Sequence, residues 1–353
     1  MARPWRGVIE EYRDDLPVTP PTSVITLGEG GTPLVRSGWL SELTECSVYV
    51  KVEGSNPTGS FKDRGMTMAV SAAVDAGAKV VACASTGNTS ASAAAYAARA
   101  GLRPVVLVPA GRIAKGKLVQ AMVSGATLLQ LRGNFDDCLR IARELTDSYP
   151  VVLVNSAAED GLRLVGQQTA AYEVVDQLGS APDLHLLPVG NAGNVTAYWA
   201  GYRNYRGGTG SLPRMWGFQA EGAAPIVRGE RVAEPETVAT AIRVGNPARW
   251  QNATDAIRES EGRIEAVPDE EILAAQAMLA AREGIFVEPA SAVGVAGLLR
   301  LNAAGAVDAG QRVVITVTGN GLKDTESLRT EDLGRHAVLS ADTRTVARTL
   351  DLS

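Results

Sequence analysis

From residue 79 onward, short runs of consecutive apolar residues alternate with longer stretches in which apolar positions recur every three or four residues. The short runs predict buried strands over 79–84, 104–108, 127–131, 150–154, 184–189, 214–219 and 312–318. The longer stretches predict helices over 89–100, 114–124, 134–148, 161–178, 194–205, 268–283 and 289–301. Prolines at 268 and 289 suit a first helical turn, and the carboxylates after Pro268 suit the positive end of a helix. This alternation predicts an α/β fold with mostly parallel sheets covered by helices on both faces. The stretch leading to Lys62 has no apolar periodicity. The polar tail after about residue 334, with a short helix over 342–350, is expected to be peripheral.

Composition narrows the function classes. A chain of 353 residues, 45% hydrophobic, is long enough to fill two cores. The net charge of −5 comes from 39 acidic and 34 basic side chains, with no run of Lys or Arg to neutralise a row of phosphates, so no nucleic-acid partner is expected. Charges interrupt every apolar stretch before the roughly 20 residues of a membrane span, and 1–6 has no hydrophobic signal core; a cytoplasmic protein without membrane contact is expected. Cys46, Cys83 and Cys138 lack metal-type spacing and read as buried reduced thiols. The two histidines, His185 and His336, argue against a histidine metal site or a Ser-His-Asp triad, and no metal is expected.

Candidate chemistry gathers in loops after predicted strands, where a parallel sheet collects its ligands and helix N-termini attract anions. Three loops qualify: Ala84-Ser-Thr-Gly-Asn-Thr-Ser-Ala-Ser92, Pro188-Val-Gly-Asn-Ala-Gly-Asn194 and Thr316-Val-Thr-Gly-Asn-Gly-Leu-Lys-Asp324. The second is the best phosphate cup, because Gly permits close backbone approach and Asn tolerates left-handed backbone; a plain strand-to-helix turn would read the same. The first could equally be capping chemistry. Lys62, flanked by Gly59, Ser60, Asp63 and Arg64, is a Schiff-base candidate only if burial or a nearby cation removes its proton; its spacing does not separate that role from a solvated charge.

Taken together, the segments Lys51-Val-Glu-Gly-Ser-Asn-Pro-Thr-Gly-Ser-Phe-Lys-Asp-Arg-Gly-Met66, Ser85-Thr-Gly-Asn-Thr-Ser-Ala-Ser92, Ala241-Ile-Arg-Val-Gly-Asn-Pro247, Gly284-Ile-Phe-Val-Glu-Pro-Ala-Ser-Ala292 and Thr318-Gly-Asn-Gly-Leu-Lys-Asp324 resemble the threonine synthases among fold-type II pyridoxal-phosphate enzymes. The resemblance covers about 27–324. It implies a tryptophan synthase β-like α/β architecture with two open, mostly parallel sheets and pyridoxal 5'-phosphate in the interdomain cleft. A larger domain would comprise 1–65 and 155–353, and a smaller mobile one 66–154. By the same resemblance Lys62 holds the cofactor as a Schiff base and acts as catalytic base, Gly190, Asn191, Ala192, Gly193 and Asn194 cradle its phosphate, Asn88 meets its phenolic oxygen and Thr318 its pyridine nitrogen.

Ser85, Thr86, Asn88 and Thr89 would hold the substrate carboxylate, and Ser156 and Arg163 the leaving phosphate. The implied reaction is conversion of O-phospho-L-homoserine and water to L-threonine and phosphate by a cytoplasmic homodimer without N-terminal allosteric control. One segment departs from the family pattern: Asn155-Ser-Ala-Ala-Glu-Asp-Gly-Leu-Arg-Leu-Val-Gly-Gln-Gln168 is about two residues longer, with Val165 and Gln168 at usually polar positions. Two extra residues could displace Arg163 by several ångströms. A β-replacement or dehydratase relative acting on another phosphorylated or hydroxy amino acid is the alternative, and a non-catalytic phosphate-ligand-binding relative a further one.

Overall fold

The computed structural model describes residues 4–111, 115–155, 161–205, 207, 210–325 and 338–352, apart from the side chains of 115–117 and 135. Its strands are β1 (Leu34–Arg36), β2 (Ser47–Val52), β3 (Val80–Ala84), β4 (Arg103–Pro109), β5 (Thr127–Leu131), β6 (Val151–Leu153), β7 (Leu184–Pro188), β8 (Arg214–Ala220), β9 (Arg263–Val267) and β10 (Arg312–Val317). The α-helices are α1 (Val8–Glu11), α2 (Gly38–Thr44), α3 (Lys62–Asp75), α4 (Asn88–Arg99), α5 (Lys115–Val123), α6 (Phe135–Ser148), α7 (Leu162–Leu178), α8 (Gly193–Asn204), α9 (Pro225–Arg228), α10 (Trp250–Glu259), α11 (Asp269–Glu283), α12 (Pro289–Ala303) and α13 (Thr343–Thr349).

Two sheets form the α/β architecture anticipated from the pattern. The larger has strand order β1-β2-β10-β7-β8-β9, parallel except for the β1–β2 pair; the smaller, β5-β4-β3-β6, is parallel throughout. Burial on both faces explains why β3, β7 and β10 read as continuous apolar runs. Helix α12 is apolar nearly all round because it lies inside the larger core, against Val313, Ile315 and Val317 of β10 and Phe218 of β8.

Strands β1, β2 and β9 were not expected from the apolar pattern. Strand β2 carries Lys51, whose charge is hidden in the interior: its Nζ donates to Glu173 at 2.7 Å, to the Thr32 carbonyl at 2.8 Å and to Gln177 at 3.1 Å. Strand β9 is a sheet edge, and its half-buried Arg263 and Glu265 interrupt the apolar signal. Pro268 sits one residue ahead of α11 with extended backbone, so it precedes the first turn it was expected to open, whereas Pro289 does open α12.

Helices α3 and α7 approach at two glycines. A Cβ on Gly65 would lie 2.6 Å from the Arg163 carbonyl oxygen, and one on Gly166 would lie 1.9 Å from that of Arg64. Behind this contact Arg64 is fully buried between two carboxylates: its Nε meets Glu53 at 2.7 Å and its Nη1 meets Glu173 at 2.6 Å.

The three cysteines are unpaired and buried, as expected. His185 is also buried, between the hydroxyls of Tyr202 (2.6 Å) and Thr316 (2.8 Å), and burial pushes its imidazole down to about 3, so it is a neutral structural group. His336 lies outside the described residues. No helix among the described residues is long and apolar enough to cross a membrane.

Candidate active site

The carboxyl ends of β3, β7 and β10 open onto one cleft of about 820 Å³ lying between the two sheets. Its lining includes Lys62, Ser85, Thr86, Asn88, Thr89 and Arg163, together with 190–194 and Thr318, so all the described candidates from the sequence converge there. Ser156 lies outside the described residues.

Several of the described helices start at the cleft without a side-chain cap, among them α3 at Lys62, α4 after Gly87, α7 after Gly161 and α8 after Ala192. An uncapped start leaves backbone N–H groups and the positive end of the helix dipole for a ligand, so the cleft is built to receive anions. The turn ahead of α8 requires special backbone. Ala192 has φ +66, and a Cβ on Gly190 would lie 2.9 Å from the Ile242 Cα. The neighbouring Asn194 is buried, and neither its Oδ1 nor its Nδ2 has a hydrogen-bond partner among the described residues. A buried amide of this kind calls for a polar ligand, which suits a phosphate group held by 190–194.

Lys62 is the first residue of α3, with Nζ 4.2 Å from the Phe61 ring centroid. Its amine is brought down to about 7, first by burial and then by the Arg163 charge, against the opposing pull of Glu288. Burial pushes the Cys83 thiol up to about 12, against the charges of Arg163 and Lys62, and keeps it unreactive. Arg163 stands in the first turn of α7, its Nη1 donating to the Val154 carbonyl at 2.9 Å. Arg163 lines the cleft.

At the far wall, Ser291 Oγ accepts from the backbone N–H groups of Thr318 (3.0 Å) and Gly319 (2.8 Å) and lies 2.9 Å from Thr318 Oγ1. Ser291 Oγ also reaches the Gly319 carbonyl at 3.3 Å, so its one proton is shared between that carbonyl and Thr318 Oγ1, and the Thr318 hydroxyl can donate to a ligand acceptor whenever it accepts from Ser291.

Sequence reasoning gave no role to Glu288. It is buried beside the cleft, and Asn88 Nδ2 donates to both its oxygens at 3.1 Å, which fixes the Asn88 side chain. Burial raises the Glu288 carboxyl above its ordinary range, while the Asn88 hydrogen bond and the Lys323 charge act the other way. The two residues are 200 positions apart, and nothing local in either segment signals the pair.

An amine near neutrality, a buried unpaired amide beside a glycine turn and a hydroxyl lining one cleft fit a phosphorylated pyridine aldehyde. Residues 25–319 match the model of the pyridoxal-phosphate dependent enzymes. The threonine synthase of Mycobacterium tuberculosis H37Rv is 58% identical over 328 residues, which cover 92% of this chain and 91% of that protein.

The chain belongs to the pyridoxal-phosphate-dependent threonine synthases.

Other threonine synthases of the family are similarly alike: that of Halalkalibacterium halodurans is 55% identical, covering 91% of this chain and 90% of its own, and that of Methanocaldococcus jannaschii is 50% identical, covering 92% and 81%. Among solved structures, maize serine racemase superposes with a TM-score of 0.73 at 19% identity, covering 91% of this chain and 92% of its own. O-ureido-L-serine synthase superposes with a TM-score of 0.74 at 21% identity, covering 91% and 98%. These two likenesses concern the fold alone. The threonine synthases carry the family assignment, and pyridoxal 5'-phosphate is the cofactor of this chain.

Proposed function

We propose that this threonine synthase family member converts O-phospho-L-homoserine and water into L-threonine and phosphate, with Lys62 as the catalytic amine. The observation that carries the reading is the placement of a lysine held to about 7 at the start of α3, in a cleft shared with the uncapped α4 and α8.

When bound, pyridoxal phosphate supplies a carbonyl to join the substrate amine and a ring that delocalises negative charge from Cα. Its phosphate would lie against 190–194, with Asn194 directed to it, while the Thr318 hydroxyl would face the pyridine nitrogen and Asn88 the phenolic oxygen. Thr318 is neutral and does not hold that nitrogen protonated as a carboxylate would. The start of α4, with Ser85, Thr86, Asn88 and Thr89, would hold the substrate carboxylate. Lys62 Nζ, once released from the cofactor, takes the Cα proton; an amine half-protonated near neutrality can accept a proton and return it. Arg163 would bind two oxygens of the departing phosphate, helped by Ser156.

The same reading treats 66–154 as a smaller unit that closes over the cleft, and 1–65 with 155–353 as the body. A homodimer working in the cytoplasm completes the proposal, checked by sedimentation and by cell fractionation. The deciding assay incubates purified protein with O-phosphohomoserine and measures phosphate and threonine together. Equal amounts of both support the proposal. Phosphate without threonine, or activity confined to phosphoserine, phosphothreonine or a hydroxy amino acid, assigns the chain to another reaction.

A further inference from the structure

The rim of the cleft carries a contact that joins the two sheets, and the reaction proposed above does not use it. Lys323, in the short turn Gly321–Lys323 after β10, donates from Nζ to the Thr58 carbonyl at 2.7 Å and to Gln120 Oε1 at 2.5 Å. Gln120, on α5, donates from Nε2 to the same Thr58 carbonyl at 3.1 Å. The three groups close a ring of hydrogen bonds among three separate stretches of chain.

The members of this ring are anchored differently. Thr58 is held from within, its N–H and hydroxyl donating to Asp63 at 2.7 and 2.6 Å. The turn carrying Lys323 is fastened to the same loop: Asn320 N–H donates to the Gly59 carbonyl at 2.9 Å, and Phe61 N–H to the Thr318 carbonyl at 3.0 Å. Gly59 makes room for the lysine stem. It has φ +82, and a Cβ there would lie 3.1 Å from Lys323 Cδ. Lys323 and Thr58 thus belong to one fixed piece at the end of the larger sheet. Gln120 rides on α5, whose Leu118 and Ala121 pack against Val106 and Val108 of the smaller sheet. Movement of the smaller sheet away from the larger must therefore break the bonds of Gln120, whereas the Lys323–Thr58 bond can survive it.

We propose that Lys323, Gln120 and the Thr58 carbonyl form a clasp that holds the smaller sheet closed over the cleft. Lys323 is a positioning residue that acts through Gln120. Its partners in the clasp are uncharged oxygens, a combination that grips more strongly than a neutral pair yet lets go more readily than an ion pair out of water. The clasp rests on the proposed reaction only for its kinetic consequence.

The test uses the cofactor-loaded full chain with spin labels on Arg140→Cys of α6 and Arg258→Cys of α10, which are 58% and 71% exposed. Pulsed electron resonance reads the distance between the units in the parent, Lys323→Met, Gln120→Leu and the double variant. The expected result is a shift toward the separated population of about tenfold in each single variant, the equilibrium effect of losing a charged hydrogen bond. The double variant is expected to be no more open than Gln120→Leu alone, because both bonds that tie the smaller sheet into the clasp run through Gln120. With the substrate that the phosphate assay identifies, KM should rise about as much while kcat changes less. Unchanged distances in both single variants overturn the clasp, as do additive shifts. An effect of Lys323→Met on KM without one on distance also overturns it, since Lys323 would then merely attract substrate. The distance measurements require no turnover, so failure of the substrate assignment would leave them standing.

Discussion

Replacing Arg163 with methionine tests the electrostatic account of Lys62 directly. With Lys62 held at about 7, roughly half of the amine is unprotonated at neutral pH, against about one in three thousand at the ordinary lysine value of 10.5. Attachment of added pyridoxal phosphate to the cofactor-free chain, trapped with borohydride and counted at Lys62 by mass spectrometry, should reach half its limiting rate near pH 7. In Arg163→Met the half-point should move up, because a neighbouring cation is gone, but it should stay well short of 10.5, because burial is the larger cause. Glu288→Gln should move it down, since Glu288 is the charge that favours the ammonium. The sign for stability follows from proton counts. Between about pH 7 and 10.5 the unfolded chain binds more protons at this site, so the Lys62 contribution improves as pH rises through that window and is most unfavourable below it. A parent half-point near 10, or a downward shift in Arg163→Met, would refute the reasoning.

Three further outcomes are expected. Gly166→Ala places a methyl 1.9 Å from the Arg64 carbonyl oxygen and should lower stability by about 1–3 kcal/mol or more, read from the urea midpoint of the cofactor-free chain. Glu173→Gln removes a carboxylate shared by Lys51 and Arg64 in the interior and should cost about 3–5 kcal/mol in the same measurement. Asn194→Asp sets a carboxylate where the cofactor phosphate is proposed to lie; its affinity for pyridoxal phosphate should fall at least about tenfold by equilibrium dialysis, a charge-repulsion effect of the order of 1.4 kcal/mol.

The two parallel sheets were legible where a strand is buried on both faces, as in β3, β7 and β10, since such strands are written in consecutive apolar residues. Strand β2 was missed because Lys51 reads as solvent-facing until Glu173, 122 positions away, is brought to it. The site divides in the same way. The three loops carry their chemistry in local Gly, Asn, Ser and Thr patterns, whereas Glu288 acquires meaning only by meeting Asn88, and Gln120 only by meeting Lys323. Lys62 falls between these cases. Its neighbours in sequence left its charge state open, and burial beside Arg163 decides it.

The close passage of Gly65 and Gly166 bears on how this scaffold can be altered. Lys62 lies three residues before one glycine and Arg163 three before the other, so the distance between the two cations is gauged by main chain pressed on main chain. Side-chain substitutions elsewhere along α3 or α7 have little purchase on that gauge, whereas one at either glycine would press the helices apart. Insertions and deletions in 156–160 change the length of chain ahead of α7 while leaving the two glycines in register. On the proposed assignment of Ser156 and Arg163 to the departing phosphate, varying that segment is the economical route to a different leaving group, with Lys62 and Arg163 still held by the same two glycines.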